Sequence, residues 1–538
     1  MEIEERQPVL SGLQPQEPRG PRFPRVARRV LIGVVAGSVV LGGVLVLLPS
    51  ERQAGPPRPA AGPVNRAVTA VGAGVPVSLP DLAAVIRDRE ARLRAHPRDG
   101  RSWAVLGNAY VEQARRTGSP AYFPKAEKAL DTSLQAKPDG NVEALEGLTA
   151  LANARGDFET GQRWGEEAVE LSPKRWTTYP LLIDAYAGLG DHEAARDTLD
   201  KLLKLHKGPA ALARASRVYW DQGWREDAAA AIAEAAERAE TPAEQAAYLQ
   251  QAGALAWERG DAEQSLRYYR AALAADPDEH GALAGQGRAL AALGRTSEAL
   301  DAYRTALAKR PAPRYALELG ELYEKLGDGA AARAQYDLLR VRVRQETAGG
   351  VDDELVLGLF EADHGDPVQA VRRLRAEWER HPTIPVADAL GWALHRTGAN
   401  EEALEFATKS MDKEHGGGVR SALYAYHRGQ IERDLEEFGA ARRHLAEALR
   451  INPHFSPLFA PLAQEALKAL GEPPAEWPPP EEPEESPEPA APLPSPTPLP
   501  SSTSVPSPSP VPSSTPVPSS TPTPTPTPTP VPRRSGSR

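Results

Sequence analysis

The side chains that could do chemistry in this sequence are first its eleven histidines, at positions 96, 192, 206, 280, 364, 381, 395, 415, 427, 444 and 454. A helical metal site needs two such ligands one turn apart beside a carboxylate, and no histidine pair has that spacing. Cysteine is absent, which removes disulfides, thiol catalysis and cysteine-held zinc or iron–sulfur centres. Gly285-Gln286-Gly287 offers two glycines of a dinucleotide loop, but no strand-like run precedes it. No nucleophile motif, phosphate loop or calcium loop occurs. The sequence therefore predicts no catalytic residue, no metal, no cofactor and no small-molecule substrate. A formal charge of -10 argues against nucleic acid as partner, because phosphates want a basic face.

What remains is a surface, and the elements that carry it repeat. In residues 281–311 the apolar and small residues Leu283, Gly287, Leu290 and Leu293, then Ala299, Leu300, Tyr303, Ala306 and Leu307, form two runs of helical spacing broken at Gly294. This predicts two antiparallel helices, with Gly294 in a left-handed turn and Thr296 or Ser297 capping the second helix. Such a pair cannot bury its apolar face alone and needs similar neighbours on either side. The turn glycine recurs as Gly156, Gly190, Gly223, Gly260, Gly294, Gly327, Gly365 and Gly398, 33 to 38 residues apart. Five residues after each comes a small residue: Gly161, Ala195, Ala228, Ser265, Ala299, Ala332, Ala370 and Ala403. Two further units keep the pattern without that glycine, one at Trp103, Leu106, Gly107, Tyr110, Ala126 and Leu130, the other at Gly429, Ala441, Leu445 and Ala448. Ten units are countable.

With its period near 34, an aromatic or leucine, then Leu-Gly and Tyr, and later Ala, Tyr, Ala and Pro, residues 100–453 resemble the tetratricopeptide repeat family. Trp103-Leu106-Gly107-Tyr110, Leu319-Gly320-Tyr323 and Ala299-Tyr303-Ala306-Pro311 carry the likeness most sharply. The resemblance implies an all-α fold, a right-handed α-solenoid of about ten helix-turn-helix repeats. Extra residues around 116–124 and 344–351 depart from the period and predict protruding loops or altered curvature.

The flanks differ in kind. Residues 1–29 end in Arg19, Arg22, Arg25, Arg28 and Arg29, after which residues 30–48, opening on Val30 and closing on Leu48, run without a charge. At 1.5 Å per residue they reach about 28 Å, close to the thickness of a bilayer's hydrocarbon. They predict a transmembrane helix, with the alternative of a cleaved signal peptide. The arginines place residues 1–29 in the cytoplasm and the repeats in an extracytoplasmic compartment. Residues 49–80 read as a Pro/Ala/Gly-rich linker without a core, 81–99 as a lone capping helix and 454–471 as a C-terminal capping helix. Residues 472–538 hold 25 of the 54 prolines and predict a disordered tail. Arg and Ala predominate over Lys and Ile, as expected of a bacterial chain.

In the family resembled, first helices line a concave groove into which the positions flanking the Leu-Gly pair point. The resemblance thus implies a partner-binding groove of Asn108, Arg217, Trp220, Trp257, Arg288, Trp392, His395, Tyr426 and Arg433, with Asp184 and Glu321 nearby. Three of these are tryptophans expected to be exposed, and Arg and aromatic side chains dominate interface energetics. The alternative, that the rings pack within the superhelix, stays open. Members that clamp a peptide carboxylate use Lys and Asn in three consecutive units, of which only Asn108 has a counterpart here. The function expected is a non-catalytic, membrane-anchored scaffold holding a protein or peptide, as an extended, acidic or aromatic-rich segment. Readings of other classes are an accessory subunit of an extracytoplasmic enzyme system for cytochrome assembly or envelope biosynthesis, and a cytoplasmic regulator.

Overall fold

The computed structural model describes residues 63–72, 74–411 and 418–471. The predicted cytoplasmic segment 1–29, membrane segment 30–48 and tail 472–538 lie outside them. Among the described residues no helix is long and apolar enough to cross a membrane.

All regular structure described is helical, in twenty-three α-helices and one 3-10 turn. Twenty of them, from α3 (Gly100–Thr117) to α22 (Phe438–Ile451), pair into ten units, and α23 (Phe459–Ala469) covers the last. The pairing follows from size. In the sixth unit, α13 (His280–Ala292) places Gly287 where an added Cβ would sit 2.6 Å from the ring of Tyr303 on α14 (Thr296–Lys309). The missing side chain makes room for the ring, which is 3% exposed.

The turns are built by glycine and aspartate together. Seven of the eight turn glycines have φ between 74° and 84°, the left-handed region that closes a helix. Gly365 does not, with φ -136°, and the unit at its end holds its turn without that geometry. In the first unit Gly118, φ 62°, supplies the turn that the repeat pattern leaves blank, and in the tenth Glu436 takes φ 63°. Asp157, Asp191, Asp261 and Asp328, each directly after a turn glycine, accept a hydrogen bond from the backbone N–H three residues on and so cap the second helix. In the sixth unit the cap residue is Arg295, not Thr296 or Ser297, and its side chain makes no capping bond.

Two expectations about the ends are corrected. The stretch read as a coreless linker contains α1 (Pro63–Gly72), whose Ala67 and Val71 are buried with Leu82 and Val85 of α2 (Leu79–Ala95) and Val105 of α3. The N-terminal cap is therefore a helix pair. The valines at 64, 68 and 71 supply the apolar stripe that the prolines around them obscure. Of the extra residues at 344–351, those up to 348 extend α16 (Gly329–Ala348) to 20 residues, and only 349–351 fall in the connection that follows it.

The array winds back upon itself. Five times in succession the turn inside one unit meets the chain that follows the fifth unit beyond it: Gly118 meets Arg310, Gly156 meets Asp352, Gly190 meets Pro382, Gly223 meets Gly418 and Gly260 meets Ile451 and Asn452. Hydrogen bonds stitch this seam. Asp352 N–H donates to Arg155 O at 2.8 Å, Arg342 Nη2 to Gly118 O at 2.8 Å and Asn452 Nδ2 to Trp257 O at 2.9 Å. Arg116, 7% exposed, donates from Nη2 to Asp276 at 2.6 Å and from Nη1 to Glu279 at 2.9 Å. Burial works against its charge, but the two carboxylates outweigh it and hold the guanidinium pKa above its ordinary value. Both departures from the period lie here, with Pro120 packed against Gly349. They are the two halves of one contact.

Matched glycines isolate what the seam contributes. Gly190 and Gly294 share φ 74°, but a Cβ would lie 2.5 Å from Pro382 O at the first and meet nothing at the second. Gly294→Ala should cost only the left-handed penalty of about 1–2 kcal/mol. Gly190→Ala should cost a further 1–3 kcal/mol, roughly, for overpacking. Urea unfolding of both variants checks this; equal losses would mean the seam is not closed in solution.

The seam also holds a strained acid. Burial, with the neighbouring charge of Glu346, pushes the Asp353 carboxyl from 3.8 up to about 7, and its Oδ2 has no hydrogen-bond partner. A carboxyl raised in the folded state stabilises while protonated, so this contribution is whole below the unfolded value of 3.8 and is lost as pH rises through about 7. Asp353→Asn should therefore raise the melting temperature at about pH 8 and leave it unchanged at about pH 4. A thermal scan at both pH values measures it, and a loss of stability at the higher pH would contradict the assignment.

Candidate partner-binding channel

Winding encloses a channel of about 1500 Å³, lined by side chains from all ten units and from both end caps. Its walls are mostly first helices, because the second helices lie outside them and pack across the Gly287-type notches. Ten carboxylates line it against six Arg and Lys side chains, with eight Phe, Tyr and Trp rings between them. The expectation of an acidic partner segment does not suit such a wall.

The nine residues implied by the repeat pattern divide into two groups. Asn108, Arg217, Trp220, Trp257 and Arg288 line the channel, as do Asp184 and Glu321. Trp220 is half-buried near the end of α9 (Pro209–Asp221), with the Arg225 guanidinium 5.3 Å from its ring centre. Arg217 on the same helix is exposed. Arg288 donates to Glu318 at 2.5 Å and lies 5.7 Å from the Trp257 ring. Trp257 itself is 5% exposed and so is not the open ring expected.

Trp392, His395, Tyr426 and Arg433 are not in the channel. They border a separate hollow of about 410 Å³ beside α23. Trp392 is 3% exposed: its Nε1 donates to Asp363 at 3.0 Å and its ring stacks on His427 at 4.2 Å. Tyr426, 2% exposed, stacks on Phe459 of the cap at 5.3 Å. His395 Nδ1 is bonded to Asn400 at 2.8 Å and Arg433 to Asp434 at 2.9 Å. The terminal helix brings its own aromatic residues to these rings, and they serve to seat it. For them the open alternative, packing within the superhelix, is what the structure holds.

The repeat pattern passed over Asp221 and Glu258, each directly after a channel tryptophan, and Tyr424, Asp388 and His427, which line the same channel. Two Trp-acid couples at the same place in consecutive units were visible as sequence. Asp388 and His427 were not, because a buried polar pair on two first helices, 39 residues apart, has no local signature.

Among the described residues one cluster has metal-ligand chemistry: Asp352, Glu377 and His381 place ligand atoms within 4.8 Å of one another. Arg380 already bridges Glu377 and Asp352, the latter at 3.0 Å, and His381 Nδ1 bonds Glu377 Oε1 at 2.8 Å. His381 also packs edge-on against Phe158, 5.1 Å away. The arginine occupies the carboxylates a cation would need, and the group reads as an ion-pair knot at the seam.

The tetratricopeptide repeat family model matches residues 251–312 and 284–346. The tetratricopeptide repeat and J domain-containing co-chaperone DNJ1 of Fusarium oxysporum is 41% identical over 81 residues, which are 15% of this chain and 16% of that protein. Among solved structures, the human IFIT1 dimer with PPP-AAAA aligns at 14% identity and TM-score 0.40, over 58% of this chain and 72% of that one. Pseudomonas aeruginosa pilF aligns at 17% identity and TM-score 0.32, over 38% and 96%. Residues 251–346 of this chain are thus tetratricopeptide repeats, within an array of ten helical pairs.

Proposed function

We propose that this chain is a non-catalytic scaffold that encloses an extended segment of a protein partner in its axial channel. Tetratricopeptide repeats in general bind proteins or peptides. The observation that carries the reading is the lining itself. Trp220 and Trp257 stand where other units hold Ala187 and Ala291, so the repeat pattern does not call for a ring there, and of the two Trp220 is the one left half-buried on the channel. Side chains of that size, placed in a wide channel, are the kind that anchor a partner. We further propose that the chain is bacterial and that residues 30–48 anchor it in the cell membrane with the repeats on the extracytoplasmic side; their lack of charge and the five arginines before them support this.

Two tryptophan variants separate binding from packing. Trp220→Ala should weaken capture of the partner by about 2 kcal/mol or more, with the melting temperature little changed. Trp392→Ala should instead cost about 3–5 kcal/mol of stability, with capture unchanged for the protein that stays folded. Pull-down from membrane extract beside chemical denaturation reads both. A Trp220→Ala protein that loses stability like Trp392→Ala and binds normally would show the channel tryptophan to be structural.

A further inference from the structure

The channel has a stretch with carboxylates that no donor bonds. α9 ends in Trp220-Asp221 and α11 (Pro242–Glu258) in Trp257-Glu258, at the same distance before turn glycines Gly223 and Gly260. Among the described residues neither of these carboxylates receives a hydrogen bond, although both line the channel. Arg217, one turn before Asp221, donates to neither, and Arg288 and Arg314 are committed to Glu318. Arg225 gives Nη2 to the backbone oxygen of Glu258, not to its carboxylate.

The first helices of the ninth and tenth units add more acceptors to the lining. Asp388 and His427 are 3% and 1% exposed, and His427 Nδ1 lies 3.0 Å from both Asp388 oxygens. A carboxylate only accepts, so in the neutral ring Nδ1 carries the proton and Nε2 is left an acceptor. That Nε2 is buried, lies on a channel-lining residue and has no partner. Tyr424 also lines the channel, and burial, then the charges of Asp388, Glu258 and Asp221 together, with Arg314 opposing, hold its hydroxyl well above the ordinary value. Burial likewise raises Asp221 and Glu258.

Lone pairs without donors, beside aromatic rings, fit a group that only donates. Ammonium and guanidinium are the side-chain groups of that kind, and both are attracted to ring faces. We propose that the channel takes its partner as an extended segment bearing Lys or Arg, held by the Trp220-Asp221 and Trp257-Glu258 couples together with Tyr424 and the Asp388–His427 pair. This rests on reading the channel as the partner site and names the chemistry of what enters it. The ten carboxylates against six cations of the whole lining attract the same segment and repel a polyphosphate chain.

The test uses the full-length protein and three labelled probes in fluorescence anisotropy: a peptide alternating Lys with Gly and Tyr, the same peptide with Glu for Lys, and oligoadenylate. The Lys peptide should bind saturably, and Asp221→Asn with Glu258→Gln should weaken it at least about tenfold. Asp301→Asn with Asp337→Asn removes two charges from exposed second-helix positions, 75% and 73% accessible, and should change affinity by less than about twofold. Equal losses from the two pairs would show diffuse attraction by net charge and overturn the inference. So would absence of Lys-peptide binding, or tighter binding of either anionic probe. If the Glu peptide binds and Trp220→Ala weakens it, the channel reading stands and only its cationic occupant is wrong.

Discussion

Everything in the described array depends on the close approach of backbone to backbone along the seam. A stacked repeat protein is ordinarily coupled only to its nearest neighbours, so that stability is a sum over local interfaces. Here the turn glycines of the second to fifth units have two duties. Their positive φ ends a helix, and their missing side chain admits the chain that follows the fifth unit beyond. Gly294, Gly327 and Gly398, in the later units, have only the first duty, because nothing lies against them. The buried Arg116 with Asp276 and Glu279 fixes the register at one end, and Asn452 on the Trp257 carbonyl fixes it at the other. Removing one partner of such a buried pair leaves an uncompensated charge, which is why an arginine can set register even where its net contribution to stability is small.

The channel follows from the seam. First helices that would line an open groove face one another once the walls meet, and side chains from distant units come together around Tyr424. Burial among these walls raises Asp221, Glu258 and Asp363 together, the last against the N–H of Trp392. Carboxylates buried in this way have already given up part of their hydration, which lowers the cost of pairing with a cation. An enclosed channel also selects for extended chains, since a folded domain would have to open the seam to enter.

Much of this was legible in the residues. The Leu-Gly and Ala-Tyr spacings dictate two helices per unit and ten units, and Gly287 against Tyr303 is the contact they imply. The seam was not legible, because residues 160 to 224 positions apart meet there and no local pattern records it. Both insertions that broke the period were its components. The tryptophans divided for a related reason: the repeat frame says which way a residue points, but not what a terminal helix will lay over it. Phe459 covers Tyr426 and Trp392, whereas no terminal helix reaches Trp220, which stays half-buried beside Arg225. Pro-rich composition hid α1, whose valines carry a stripe that a reading by composition averages away.

Because the chain has no cysteine, an engineered pair can form only one disulfide within it. A Cβ on residue 156 would lie 2.9 Å from that of Asp352, so an outward relaxation of about 0.6–1 Å brings the pair to the spacing of about 3.5–4.5 Å that a disulfide needs. Gly156→Cys with Asp352→Cys should therefore oxidise within the monomer, visible as a faster band on a non-reducing gel. Gly327→Cys with Asp352→Cys should stay reduced, since nothing lies within 4 Å of that turn. If both pairs remain reduced while circular dichroism shows the helices intact, the superhelix is open in solution and the enclosed channel does not exist.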